Sequence, residues 1–327
     1  MTDADLERLE SASRDVYRHL SPSPQINWPL LSARCGCSVW VKHENHNPTG
    51  AFKVRGGLLY MQRLLQREPS VDGVVAATRG NHGQSIAHAA ARFGLPCTIV
   101  VPEGNNPEKN LARAALGAEL VIHGRDFDEA VPHAVALAEQ RGYHRIPSFH
   151  NDLVEGVASY SLELLRARPS LRRVYVPIGL GSGICGMIRA RNALANDTEI
   201  IGVSAEGADC YARSFAAGKR VCTTAATTIA DGMAVRQPDP DALDLMLTNL
   251  ARVVVVSDAE VMDAMAAYFT DTHNVAEGAG AAPLAALLKE GTAQPGGEVG
   301  LILSGGNAER ELYRRALASG MAMAAEA

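Results

Sequence analysis

The chain has 327 residues, with 31 Lys and Arg against 36 Asp and Glu, a formal net charge of −5. That length fits two domains or one large α/β unit with a divided core, and the 47% hydrophobic and 20% charged content is that of a globular protein, not a disordered or fibrous one. Mild acidity without a concentrated basic face argues against a nucleic-acid partner, and no apolar run approaches the roughly 20 residues of a bilayer span.

The N-terminal stretch MTDADLERLESASRDVYRHL is polar, acidic and helically spaced, unlike a secretion signal, so a cytoplasmic protein with no membrane partner is expected. Short β-branched runs then alternate with helical patterns. Strands are expected at Val39–Lys42, Gly73–Ala77, Thr98–Pro102, Glu119–His123, Val174–Ile178, Ile200–Ala205, Arg252–Ser257 and Val299–Ser304. Several are apolar throughout, as parallel strands covered on both faces are. Helices are expected at Val54–Arg67, His82–Phe93, Pro107–Leu116, Phe127–Arg141, Val154–Arg168, Ile184–Asn196, Asp258–Thr272 and Glu277–Lys289, with a surface turn at Thr292–Gly297. The alternation predicts an α/β fold with right-handed crossovers. The six cysteines, Cys35, Cys37, Cys97, Cys185, Cys210 and Cys222, form no CxxC pair and read as buried free thiols.

Four strand-to-helix junctions carry small or polar residues, where α/β proteins place ligands. In Asn47-Pro-Thr-Gly-Ala-Phe-Lys-Val-Arg-Gly-Gly57, Lys53 opens a helix between two apolar residues, where the helix dipole disfavours a cation. A desolvated lysine there has a lowered pKa and a free amine able to form a Schiff base. Ala77-Thr-Arg-Gly-Asn-His-Gly-Gln84 fits an anion site at a helix start or, equally, a plain N-cap by Asn81. Val176-Pro-Ile-Gly-Leu-Gly-Ser-Gly-Ile-Cys-Gly186 fits a phosphate nest. It has neither the Gly-Lys-Ser/Thr of a Walker motif nor the spacing of a dinucleotide fingerprint. Leu303-Ser-Gly-Gly-Asn307 either presents the Ser304 hydroxyl at a sheet edge or is a tight turn. Other motifs fail: His43-Glu-Asn-His46 lacks HExxH spacing, Asp239, Asp241 and Asp244 lack the rest of an EF-hand loop, and Ser182 is not centred in a G-x-S-x-G elbow.

Together, in this order, the four segments resemble the fold-type-II pyridoxal-phosphate enzymes (tryptophan synthase β-like), in particular threonine dehydratases, serine racemases and related β-hydroxy-amino-acid ammonia-lyases. The resemblance runs from about Leu30 to the C-terminal region, and Thr228-Ile-Ala-Asp-Gly232 and Val275-Ala-Glu-Gly-Ala-Gly280 extend it. It implies two open, twisted, mostly parallel sheets with flanking helices. Residues 1–71 and 150–327 would form a large cofactor-binding domain, and 72–149 a smaller mobile one. Pyridoxal 5'-phosphate would be linked to Lys53, which also serves as the base at Cα. Phe52 would pack by the ring, Asn81 would bond the pyridoxal 3-oxygen, and Gly179, Leu180, Gly181, Ser182 and Gly183 would hold the phosphate. Ser304 would face the pyridine nitrogen; a neutral partner there should leave that nitrogen unprotonated, suiting elimination more than a long-lived carbanion. Thr78, Arg79, Gly80 and His82 would lie along the substrate.

The sequence departs from the resemblance at two points. Racemases of the family carry a serine before Gly-Asn-His as the opposite-face acid/base; here it is Arg79, a poor base. Some relatives bind a divalent cation after the strand Ile200–Ala205, where this chain offers Glu206 and Asp209 in a shorter segment. The implied activity is dehydration and deamination of a β-hydroxy amino acid, threonine- or serine-like or larger, to a 2-oxo acid and ammonia, by a homodimer. The alternatives are a serine-racemase-type isomerase and a non-catalytic cofactor-binding regulatory protein. Feedback control through a C-terminal amino-acid-sensing domain is not expected.

Overall fold

A computed structural model describes residues 3–291 and 297–324. In chain order the first elements are α1 (Asp3–Tyr17), β1 (Gln25–Asn27), α2 (Pro29–Cys35), β2 (Ser38–His43), α3 (Lys53–Arg67), β3 (Val74–Ala77), α4 (Asn81–Phe93), β4 (Cys97–Val101), α5 (Pro107–Ala115), β5 (Glu119–Ile122), α6 (Phe127–Arg141) and β6 (His144–Arg145). They continue through α7 (Asn151–Ala167), β7 (Leu171–Pro177), α8 (Ser182–Ala193), β8 (Glu199–Ala205), α9 (Cys210–Ala217), α10 (Pro240–Asn249), β9 (Arg252–Val256), α11 (Asp258–Thr272), α12 (Gly278–Glu290), β10 (Glu298–Leu303) and α13 (Arg310–Ala324). Most of the expected turn at Thr292–Gly297 lies outside the described residues.

Two sheets result. The larger has the order β1-β2-β10-β7-β8-β9, the smaller β5-β4-β3-β6. All pairings are parallel except β1 with β2, and the last long strand enters mid-sheet, with Val299 opposite Val39 and Leu301 opposite Val41. Val74–Ala77 and Cys97–Val101 are buried at every position, so the apolar runs in the sequence reflect helices on both faces.

Local chemistry sets several helix starts. Asn106 and Asp239 accept N–H bonds ahead of Pro107 and Pro240 at the first helical turn. Ser257 and Glu260 form a capping box that opens α11. The His150 ring accepts from the backbone N–H of Asp152, which starts α7 at Asn151, three residues before its apolar pattern begins. Asn81 is not the N-cap of α4: Gly80 holds that position, and Asn81 is the first helical residue, with its side chain free for other partners.

Two buried clusters flank the larger sheet, one around α11 and α12, the other around α7 and α8. Val54, Leu58, Leu59, Met61 and Leu64 of α3 share a third cluster with Val74, Ile99 and Ile86 of the smaller sheet and its helix α4. Thus α3, whose first residue is Lys53, packs against both halves of the molecule.

Candidate active site

Lys53 is held at the start of α3 by contacts on either side. The Phe52 backbone N–H donates to the Ser304 carbonyl at 3.0 Å, and the Ser85 hydroxyl donates to the Lys53 carbonyl at 2.6 Å. Two residues on, the buried Arg55 guanidinium donates to Glu44 at 2.7 and 2.9 Å and to Glu163 at 2.7 Å. The first turn of α3 is therefore tied to the end of β2 and to α7. Glu44, the acidic residue inside the failed metal motif, is wholly buried in this network, and its neighbour His43 accepts from the Trp28 indole.

A cavity of about 470 Å³ opens between the two sheets. It gathers Phe52, Lys53, Thr78, Arg79, Gly80, Asn81, His82, Gly179, Leu180, Gly181, Ser182, Gly183 and Ser304, which lie far apart in the chain. Burial pushes the Lys53 ammonium down to about 8, with the Glu277 carboxylate opposing that shift. Its Nζ lies 4.8 Å from the centre of the Phe52 ring. The buried lysines are engaged elsewhere: Lys42 pairs with Glu163, and Lys109 with Asp231 at 3.2 Å and Glu277 at 3.5 Å.

The loop after β7 turns into α8 through Gly181, whose φ of +118° strains any residue with a side chain. A Cβ on Gly179 would stand 2.2 Å from the Gly232 carbonyl, and one on Gly181 2.6 Å from Ala242. The first turn of α8 carries no acidic side chain, so its N–H groups and dipole face the cavity uncompensated.

At the end of β3, Thr78 Oγ1 accepts from the Gly80 N–H at 3.1 Å. Arg113 of α5, itself buried, donates to the carbonyls of Arg79 at 2.7 Å and Gly80 at 2.9 Å, which fixes this loop from below. Burial pushes His82 down to about 3, and the Lys53 charge adds to that, so its ring is neutral. Its Nε2 is buried and has no hydrogen-bond partner among the described residues, which leaves a lone pair for a ligand.

The structure adds partners that the motif reading did not assign. The Asn81 amide donates to Glu277 Oε1 at 2.5 Å and accepts from Asn307 Nδ2 at 2.9 Å, while Asn307 also donates to Gln84 and to the Thr49 carbonyl. One amide hydrogen of Asn81 remains for a ligand. Glu277 and Asn307 both lie within segments singled out in the sequence. Their signal was a charged or amide residue beside glycine at an element end, without a partner to give it a role. Glu206 and Asp209 do not join the cavity: Glu206 is exposed, and Asp209 accepts from Arg213 at 2.8 Å. Among the described residues no group of three His, Cys, Asp or Glu converges to hold a metal.

A desolvated lysine amine, a helix start free of acidic side chains and a buried serine hydroxyl around one cavity suit a phosphorylated carbonyl cofactor. The chain belongs to the pyridoxal-phosphate dependent enzymes, whose family model matches residues 16–305. It is 36% identical over 300 residues to the L-threonine ammonia-lyase of Geobacter sulfurreducens, covering 91% of this chain and 74% of that protein. It is 34% identical over 292 residues to the L-threo-3-hydroxyaspartate ammonia-lyase of a Pseudomonas species, covering 89% and 91%. The crystal structure of a pyridoxal 5'-phosphate-dependent aspartate racemase matches with a TM-score of 0.89 at 29% identity, over 94% of this chain and 96% of that one. The architecture is that of the fold-type-II enzymes of this family. The residues fit the cofactor: a glycine cradle that side chains would fill, a lysine amine that makes no direct ion pair among the described residues, and an orphaned imidazole nitrogen surround the same space. Among the described residues, no helix is long and apolar enough to cross a membrane.

Proposed function

We propose that the protein is a pyridoxal-phosphate-dependent ammonia-lyase that converts a β-hydroxy amino acid to a 2-oxo acid and ammonia by α,β-elimination. The observation that carries this reading is the asymmetry of the cavity. Lys53 is a desolvated amine with its pKa lowered to about 8, whereas the loop bearing Arg79 and His82 offers a fixed cation and a neutral ring. Lys53 can take a proton, whereas neither the Arg79 guanidinium nor the neutral His82 ring is suited to exchange one from the loop opposite, which disfavours racemisation.

When bound, the cofactor supplies an electron sink that acidifies the substrate Cα–H. Lys53 Nζ receives that proton. Gly179–Gly183 would hold the phosphate through backbone N–H groups, Phe52 would pack beside the ring, Asn81 would donate its remaining amide hydrogen to the ring oxygen, and Ser304 would meet the ring nitrogen. Thr78, Gly80 and His82 would orient the substrate carboxylate. The Cα proton and the β-hydroxyl are lost together as one water, and the enamine that results takes up a water to give the 2-oxo acid and ammonia. In this reading residues 72–149 close over the substrate against 1–71 and 150–327; the cavity draws walls from both sheets. A cytoplasmic setting agrees with six free thiols. A homodimer, which light scattering would reveal, could bury the exposed apolar Leu30, Phe269 and Val275.

The test is a screen of the holoenzyme on serine, threonine, 3-hydroxyaspartate and 3-phenylserine in both enantiomers and in threo and erythro forms. Equimolar 2-oxo acid and ammonia are expected, with the residual substrate unchanged in configuration. Inverted substrate without 2-oxo acid would make the protein an isomerase. A visible cofactor band with no turnover of any amino acid would make it a binding protein.

A further inference from the structure

The charges around the cavity do not cancel. Three carboxylates stand in or against its wall, and each has a cation: Lys109 bridges Asp231 and Glu277, Lys53 lies within the field of Glu277, and Arg236 pairs with Asp126 at 3.4 Å. Arg79 is the charge left over. It is an exposed residue of the cavity wall, and its guanidinium has no hydrogen bond or ion pair among the described residues. Its backbone, by contrast, is pinned, because its carbonyl accepts from the buried Arg113. Arg113 adds a second positive charge under the same loop, and its desolvation lowers its pKa to about 10. An arginine with a pinned backbone and a free fork of donors, next to a second cation, is suited to bidentate binding of a carboxylate. The phosphate cradle lies on a separate loop, at Gly179–Gly183, so the charge of Arg79 is not spent there.

We propose that Arg79 is the specificity-determining residue of this site and that it selects β-hydroxy amino acids bearing a second carboxylate at the end of the side chain. This rests on the lyase reading of the same cavity. A mono-carboxylate substrate such as threonine would leave the Arg79 guanidinium facing solvent; a 3-hydroxy dicarboxylate would pair it.

The experiment uses holoenzyme and two readouts. In turnover, Arg79→Ala should lower kcat/KM on 3-hydroxyaspartate by about 30- to 1,000-fold, the consequence of removing one partner of a charge pair that closure over the bound substrate would shield from water. Threonine and serine, which have no second carboxylate to lose contact with, should suffer a markedly smaller loss, and Arg79→Lys should recover part of the loss on 3-hydroxyaspartate. In binding, the visible cofactor band is titrated with L-aspartate and L-alanine, neither of which has a β-hydroxyl to lose. Wild type should favour aspartate, and Arg79→Ala should erase the preference. An aspartate-to-alanine affinity ratio that is the same in wild type and Arg79→Ala overturns the proposal. The two readings fail separately. A preference for aspartate that depends on Arg79, without 2-oxo acid from any substrate, removes the lyase and keeps the specificity. Equal effects of Arg79→Ala on threonine and 3-hydroxyaspartate turnover keep the lyase and remove the specificity.

Discussion

Lys53 differs from an ordinary lysine because its ammonium sits against Phe52 in a cavity wall, where losing water costs the charged form more than the neutral one. The pKa near 8 has a kinetic consequence. Apoprotein mixed with pyridoxal phosphate should form its borohydride-reducible linkage at a rate that rises with pH through about 8, followed by stopped-flow absorbance, and not near the usual 10.5. The sign for stability follows from the same shift. The unfolded lysine holds its proton to higher pH than the folded one, so apoprotein stability should increase between about 8 and 10.5. A rate midpoint at the ordinary lysine value would place the amine in water. Lys53 was legible in the sequence because its signal is local: a glycine turn, two apolar neighbours and a helix start. The bonds from Asn81 to Glu277 and Asn307 were not, since they join residues 196 and 226 positions apart and only the fold brings them together.

Among the elements, α8 carries the clearest burden. Its start was expected at Ile184 but lies at Ser182, because Gly181 turns the chain so that Ser182 and Gly183 already belong to the first turn. That shift places their N–H groups at the cavity. Gly181→Asp adds a Cβ where Ala242 stands 2.6 Å away and puts a negative charge at the helix start proposed to hold the phosphate. Cofactor affinity by equilibrium titration should fall at least about tenfold, with the far-ultraviolet dichroism unchanged. An unaltered affinity in a folded variant would move the phosphate elsewhere. The long apolar strands and amphipathic helices were readable from their period. The three-residue β1 and two-residue β6 were not, since so few residues carry no periodicity, and α2, α9, α10 and α13 went unassigned for want of a long apolar stripe.

For the molecule as a whole, the buried cluster of Glu44, Arg55, Glu163 and Lys42 joins β2, α3 and α7, the elements on which Lys53 rests. Burial alone would push the Glu44 carboxyl up, but the Arg55 guanidinium beside it holds it below its ordinary value of 4.5. Its contribution to stability is therefore fully present above about pH 4.5 and is lost as the pH falls through the lower folded value. Glu44→Gln takes one of its two carboxylate partners from the buried Arg55 guanidinium and should cost about 3–5 kcal/mol in urea unfolding at neutral pH, while flattening the acid dependence. A loss under about 1 kcal/mol would mean that Glu163 alone satisfies Arg55.

The placement of the reactive amine is tested most directly by reducing the holoenzyme with borohydride, digesting it and mapping the pyridoxyl mass increment to a lysine. The label should sit on Lys53 in the wild type, and Lys53→Ala should carry none and release no 2-oxo acid. A label on Lys42 or Lys109, or one that persists in Lys53→Ala, would contradict the assignment of the site.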